Sequence, residues 1–194
     1  MKTKNLIIGS LAAAAFAFTG EVSAHTFGAH GAGFAGGMAH PFLGLDHLLA
    51  MLAVGLWAAQ LGGTARWRLP LAFMAAMVAG ASMANSGFGA GAAESLAAFS
   101  VLVLGLLIAG PVRLPAMLSF PAVAIFALSH GYAHGLEMPE AASPWGYGLG
   151  FLTATAVLHG IGLVLGSDAG RLVVPVRVGG AAIAATGLVL LAVG

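Results

Sequence analysis

His40-Pro41-Phe42-Leu43-Gly44-Leu45-Asp46-His47-Leu48-Leu49-Ala50-Met51-Leu52-Ala53-Val54-Gly55-Leu56-Trp57-Ala58-Ala59-Gln60 is an apolar run that opens on two histidines and an aspartate. A helix rises 1.5 Å per residue, so about 20 such residues cross the roughly 30 Å of a bilayer's hydrocarbon. Ionisable groups inside a membrane segment are costly, and their default meaning there is functional. This stretch therefore points both to a membrane-spanning helix and to chemistry carried on it.

The rest of the chain has the same character. Of 194 residues, 60% are apolar and 7% charged, and the mean hydropathy is +1.00. A soluble domain carries about 25% charged residues, so this chain has too little charge to coat a surface in water. Six apolar segments are expected, at about 41–61, 69–87, 94–110, 115–133, 145–166 and 172–193. Ahead of them, Lys2 and Lys4, the apolar run Leu6 to Phe18 and the small residues Val22-Ser23-Ala24 have the layout of an export signal. The expected fold is all-α: a polytopic membrane helix bundle of six transmembrane helices (residues 25–194) after a cleavable signal peptide (1–24). A net charge of +1 and zero cysteines point away from a nucleic-acid partner, disulfides and thiolate metal sites.

Charge placement orients the bundle. Arg66, Arg68, Arg113, Arg171 and Arg177 fall on one side if the six segments alternate, whereas Glu94, Glu137 and Glu140 fall on the other. The positive-inside rule makes the arginine side cytoplasmic. An exported N-terminus agrees, and the expected location is the bacterial inner membrane, multi-pass, with the mature N-terminus periplasmic. Glycine-rich stretches such as Gly146-Tyr147-Gly148-Leu149-Gly150 and Gly179-Gly180 suit closely packed membrane helices.

Two groups of ligand-type residues stand out. With Pro41 as a first helical residue, an unbroken helix would set His40 and His47 nearly one above the other and turn Asp46 about 100° away. In the fourth segment His130 and His134 are at i and i+4, and Glu137 follows at i+3. That segment runs outward, so His40, Asp46, His47, His130, His134 and Glu137 should share the outer layer of the bilayer. Imidazole suits nickel, cobalt, copper and zinc, and carboxylate adds compensating charge. His25 and His30, in the exported leader, are candidates for metal capture. His159, nearer the cytoplasmic half, is a candidate for a path inward or for a plain interhelical hydrogen bond. Glu94 is expected at the N-terminus of the third segment, where the helix dipole favours an anion.

HPFLGLDHLLAMLAVGLWAAQ (His40 to Gln60) resembles the signature of the HupE/UreJ family of nickel and cobalt permeases, a histidine, five residues, then Asp-His. HGYAHGLE (His130 to Glu137) is similar to that family's second His-rich element. The resemblance spans essentially the whole chain. It implies a non-enzymatic permease importing Ni²⁺, with Co²⁺ as the alternative, for maturation of hydrogenase or urease. The metal is then cargo, no prosthetic group is implied, and the partners are the metal ion and the lipid bilayer. No Gly-x-x-x-x-Gly-Lys-Ser/Thr phosphate loop occurs. Neutral imidazoles are needed to hold the metal, so uptake should fall as pH drops through the histidine range. Read from residues alone, a His-rich membrane metalloenzyme, a haem or di-iron protein, and a histidine-gated proton or solute channel remain alternatives.

Overall fold

The computed structural model describes residues 33–84, 90–110, 112–139, 142–167 and 172–193. The expected signal peptide, His25 and His30 lie outside the described residues. Seven helices and no strand occur among those described: α1 (Phe34–Leu43), α2 (Leu45–Leu61), α3 (Ala65–Met83), α4 (Ala90–Ala109), α5 (Ala116–Glu137), α6 (Pro144–Ser167) and α7 (Val173–Val193). Four of them, α4 to α7, are long and apolar enough to cross a membrane. The pair α1 and α2 makes a fifth candidate if its two halves count as one bent span. The expected second span corresponds to α3, whose first turn holds Arg66 and Arg68; those charges keep it out of that set.

The first expected span is not one straight helix. α1 and α2 meet at Gly44 and are bent by 87°. Pro41 lies inside α1 rather than at a helix start, so one backbone N–H is missing just before the chain turns. Gly44 is extended (φ −94°, ψ 121°), and its carbonyl accepts from Leu48 N at 2.9 Å, opening α2. A Cβ on Gly44 would stand 3.0 Å from Asp46 Oδ1 and 3.1 Å from His47 Cδ2. Glycine is therefore what lets both side chains fold back over the break.

The helices associate in three close pairs, α2 with α6, α3 with α5, and α4 with α7, while α1 lies against the start of α6. Small residues make each pair possible. A Cβ on Gly55 would run into the His159 carbonyl, one on Gly131 into that of Met77, and one on Gly105 into the backbone of Ala184. In the glycine-rich stretches only alternate positions serve this purpose: Gly150 and Gly180 touch a neighbouring helix, whereas Gly148 and Gly179 face open space. The contacts of Gly162 with Leu52 and of Gly166 with Leu56 run in step, so α2 and α6 are parallel. Gly105 against Ala184 and Gly187 against Leu102 run in opposite order, so α4 and α7 are antiparallel. Helices that alternate in direction along the chain give these relations.

Trp57, Phe73, Met51, Leu69, Leu104 and Ile108 fill the interior, while Leu106, Leu149, Val164 and Leu188 point outward and are more than half exposed. An outer surface of this kind suits lipid. Ser100, Ser129 and Thr155 are buried, and each hydroxyl donates to a carbonyl three or four residues back, which satisfies it without water. Gln60, Arg113 and Arg177 line one cavity of about 260 Å³. Arg66 and Arg68 start α3 just beyond α2, so the described arginines gather at one end of the bundle. Glu94 is the fifth residue of α4 and exposed, and the first turn holds no acid. The expected dipole contact is thus weaker than the sequence suggested, because it fades beyond the first turn.

Candidate metal centre

The opposite end of the bundle, about 20 Å along α2 from Gln60, holds the histidines. Three elements build the site: α1 supplies His40, the start of α2 supplies His47, and the last two turns of α5 supply His134 and Glu137. α5 continues to Glu137, four residues beyond its expected end, so the i, i+3 relation of His134 and Glu137 is genuinely helical. The 87° bend does what a straight helix cannot. It swings His40 off the line of α2 and brings its ring to 6.1 Å from that of His47, with the ring of His134 at 4.9 Å.

One ligand atom from each of His40, His47, His134 and Glu137 lies within 4.8 Å of all the others. His40 Nε2 is 3.1 Å from Glu137 Oε2 and 3.1 Å from His134 Nδ1. His134 Nδ1 is 3.4 Å from the same carboxylate oxygen, and His47 Nε2 is 4.0 Å from it. A first-row metal bound by nitrogen and oxygen at about 2.1 Å sets neighbouring donors about 3–3.4 Å apart. His40, His134 and Glu137 have this spacing, and His47 stands wider, at 4.0 Å from Glu137. Their burial is graded: His134 and His47 are buried, His40 is partly covered, and Glu137 is exposed. The site opens outward through its carboxylate.

Two expected ligands stand one step back. Asp46 is not among the four; its Oδ2 lies 2.9 Å from His47 Nδ1. The contact is too bent to count as a linear hydrogen bond; it is an ion-pair approach that sets a carboxylate behind the imidazole while Nε2 faces the cluster. A carboxylate behind a ligating histidine fixes its tautomer and orientation and raises its basicity. Asp46 also sits in the first turn of α2, where the helix dipole favours an anion. His130 lies one turn below His134, its ring 5.3 Å from that of His47, and its Nε2 is 2.9 Å from Ser100 Oγ. His159 is buried on α6 with Nδ1 2.7 Å from the Met51 carbonyl, apart from the four-donor cluster. The interhelical hydrogen bond foreseen for it is present.

Two side chains that sequence reading passed over shape the site. Phe151 packs on His134 at 4.2 Å between ring centres and on His40 at 5.9 Å, and Tyr147 stands 5.9 Å from His40. They form an apolar wall that excludes water from the buried imidazoles. Both belong to the first turns of α6, whose sequence reads as ordinary membrane helix. The one available signal was the cluster of small residues around Tyr147, which allows α1 to lie close. No described lysine or arginine borders the cluster, so two carboxylates and three imidazoles dominate its field and favour a cation.

Comparison with known proteins identifies the family. The family model for HupE / UreJ protein matches residues 11–190. Protein HupE of Rhizobium leguminosarum bv. viciae is 43% identical over 182 residues, which cover 92% of this chain and 94% of that protein. No solved structure matches the chain. With His40, Asp46 and His47 in one block and His130, His134 and Glu137 in the other, this multi-pass helical membrane protein belongs to the HupE/UreJ family.

Proposed function

We propose that the chain is a permease that imports Ni²⁺, with Co²⁺ as the nearest alternative cargo, across the bacterial inner membrane to supply hydrogenase or urease maturation. The observation that carries this reading is the four-donor cluster at the outer end of an apolar bundle. His40, His47, His134 and Glu137 take the ion from water, and its two charges are met by Glu137 directly and by Asp46 through His47. Nitrogen-rich donors with one carboxylate suit late first-row divalent ions better than Mg²⁺ or Ca²⁺. In this reading the arginine-rich end faces the cytoplasm, and the mature N-terminus, with His25 and His30, is periplasmic. The protein moves its cargo and performs no catalysis on it.

Labelled Ni²⁺ entering cells or vesicles that contain the protein is the test, with Co²⁺, Zn²⁺ and Mg²⁺ as competitors. Saturable uptake untouched by excess Mg²⁺ supports the reading, and absence of nickel uptake sinks it. A sharper expectation concerns Asp46→Asn. The substitution keeps the shape and the contact with His47 but removes the negative charge. It should weaken nickel binding by about 10–100-fold, the usual effect of losing a carboxylate behind a metal-bound histidine. Equilibrium binding to purified protein checks this; full affinity in Asp46→Asn would remove Asp46 from the site.

A further inference from the structure

Below the four-donor cluster, α2 and α5 each carry another lone-pair group about one turn further in, and α6, which walls the cluster, carries one about two turns in. On α2 it is Met51, four residues after His47; on α5 it is His130, four residues before His134. On α6 it is His159, eight residues beyond Phe151, about 12 Å along the axis. All three are buried.

Hydrogen bonding assigns the protons. A carbonyl only accepts, so His159 Nδ1 donates its proton to the Met51 carbonyl, and the neutral ring keeps a lone pair on Nε2. That Nε2 is fully enclosed and has no hydrogen-bond partner among the described residues. Ser100 Oγ donates to the Ala97 carbonyl at 2.7 Å, which leaves the hydroxyl to accept from His130 Nε2. The lone pair of His130 is then on Nδ1, again buried without a partner. The opposite assignment would strand an N–H donor in the core. A buried polar atom left unpaired costs free energy, and His130 Nδ1 and His159 Nε2 are two of seven such side-chain atoms among the described residues. An imidazole anchored by one nitrogen on a backbone carbonyl or hydroxyl, with the other nitrogen bare, is the form a metal-binding histidine takes.

Both rings touch Phe73 of α3, which lies 6.0 Å from His130 and 5.2 Å from His159, perpendicular to the latter. These residues lie on the seam between two glycine-pinned pairs, α2 with α6 and α3 with α5. Packing across that seam is sparser than within either pair. We propose that this seam is the ion's inward route and that His159 is a metal ligand on it: the ion passes from the cluster to His130 Nδ1, then beyond Phe73 to His159 Nε2. This rests on the nickel-permease reading and extends it to a deeper binding position.

Two variants and a serine control test it, and the chain contains no native cysteine to interfere. His159→Asn retains a side-chain N–H for the Met51 carbonyl but has no imidazole lone pair. It should fold, bind nickel at the outer cluster as the wild type does, and import it at least about tenfold more slowly. His159→Cys places a lone thiol at the same depth. Purified protein with Ni²⁺ should then show a thiolate-to-nickel charge-transfer absorption that His159→Ser lacks. Wild-type uptake by His159→Asn, or no such absorption in nickel-loaded His159→Cys, would overturn the deeper position alone. If the wild type neither binds nor imports nickel, the permease reading falls and this inference falls with it.

Discussion

Glu137→Gln should reduce nickel affinity and uptake by about a hundredfold or more while leaving the fold intact. Glu137 is the only anionic member of the four-donor cluster, and its Oε2 is the atom to which the three imidazoles converge, at 3.1, 3.4 and 4.0 Å. Glutamine has the same shape and still presents a carbonyl oxygen, so sterics do not decide the outcome. The loss is electrostatic. A unit charge 4 Å from another is worth about 4 kcal/mol at an effective dielectric of 20, and a divalent ion doubles it. Desolvation cancels part of this, but about 2.8 kcal/mol is already a factor of a hundred. Equilibrium nickel binding by the purified variant, beside uptake in cells, measures the effect. Retained affinity would mean that the imidazoles alone hold the ion, and the carboxylate would then be a surface group near the mouth.

The second large effect concerns packing. Gly131→Ala should destabilise the bundle by about 3 kcal/mol or more, at the upper end of overpacking costs, because the added methyl runs into the Met77 carbonyl. Backbone is what it meets, and no rotamer change relieves that. α3 and α5 must separate, which also shifts His130, the residue before Gly131, relative to Phe73. Gly148→Ala and Gly179→Ala are the controls. Both positions face open space within helices, and alanine there should be neutral or stabilising by about 0.5–1 kcal/mol. Thermal unfolding in detergent and the yield of monodisperse protein separate the two classes. Equal stability of all three variants would refute the close α3–α5 approach.

The comparison of Gly131 with Gly148 also marks the limit of what a linear sequence reveals. Both sit in apolar helices rich in small residues, and only the identity of the neighbouring helix tells them apart. The histidine motif at the start of the chain has the same lesson. His40, Asp46 and His47 stood out in the sequence as candidate ligands because ionisable residues in an apolar segment are costly. Their arrangement was not. Periodicity put His40 above His47 on one helix; the structure breaks that helix at Gly44 and brings the rings together across an 87° bend. Pro41 and Gly44 were the local hint, since a proline removes a backbone donor and glycine accepts the close approach of Asp46.

Sequence by itself determined that this is an apolar helical chain for a membrane, roughly where its helices run, and that it carries two His-and-acid blocks of ligand-type residues. Those features are local: hydropathy, helical spacing and the cost of a buried charge act residue by residue. Tertiary structure alone decided that His40, His47, His134 and Glu137 form the four-donor cluster, and that Asp46 stands behind His47. It also decided that Tyr147 and Phe151 wall the site, and that His159 bonds to the Met51 carbonyl of the neighbouring helix. These depend on which helices lie side by side, and in a membrane that choice rests on the fit of small residues against distant backbone. Glycine occurs throughout this chain, so only the assembled bundle shows which of its glycines make the contacts.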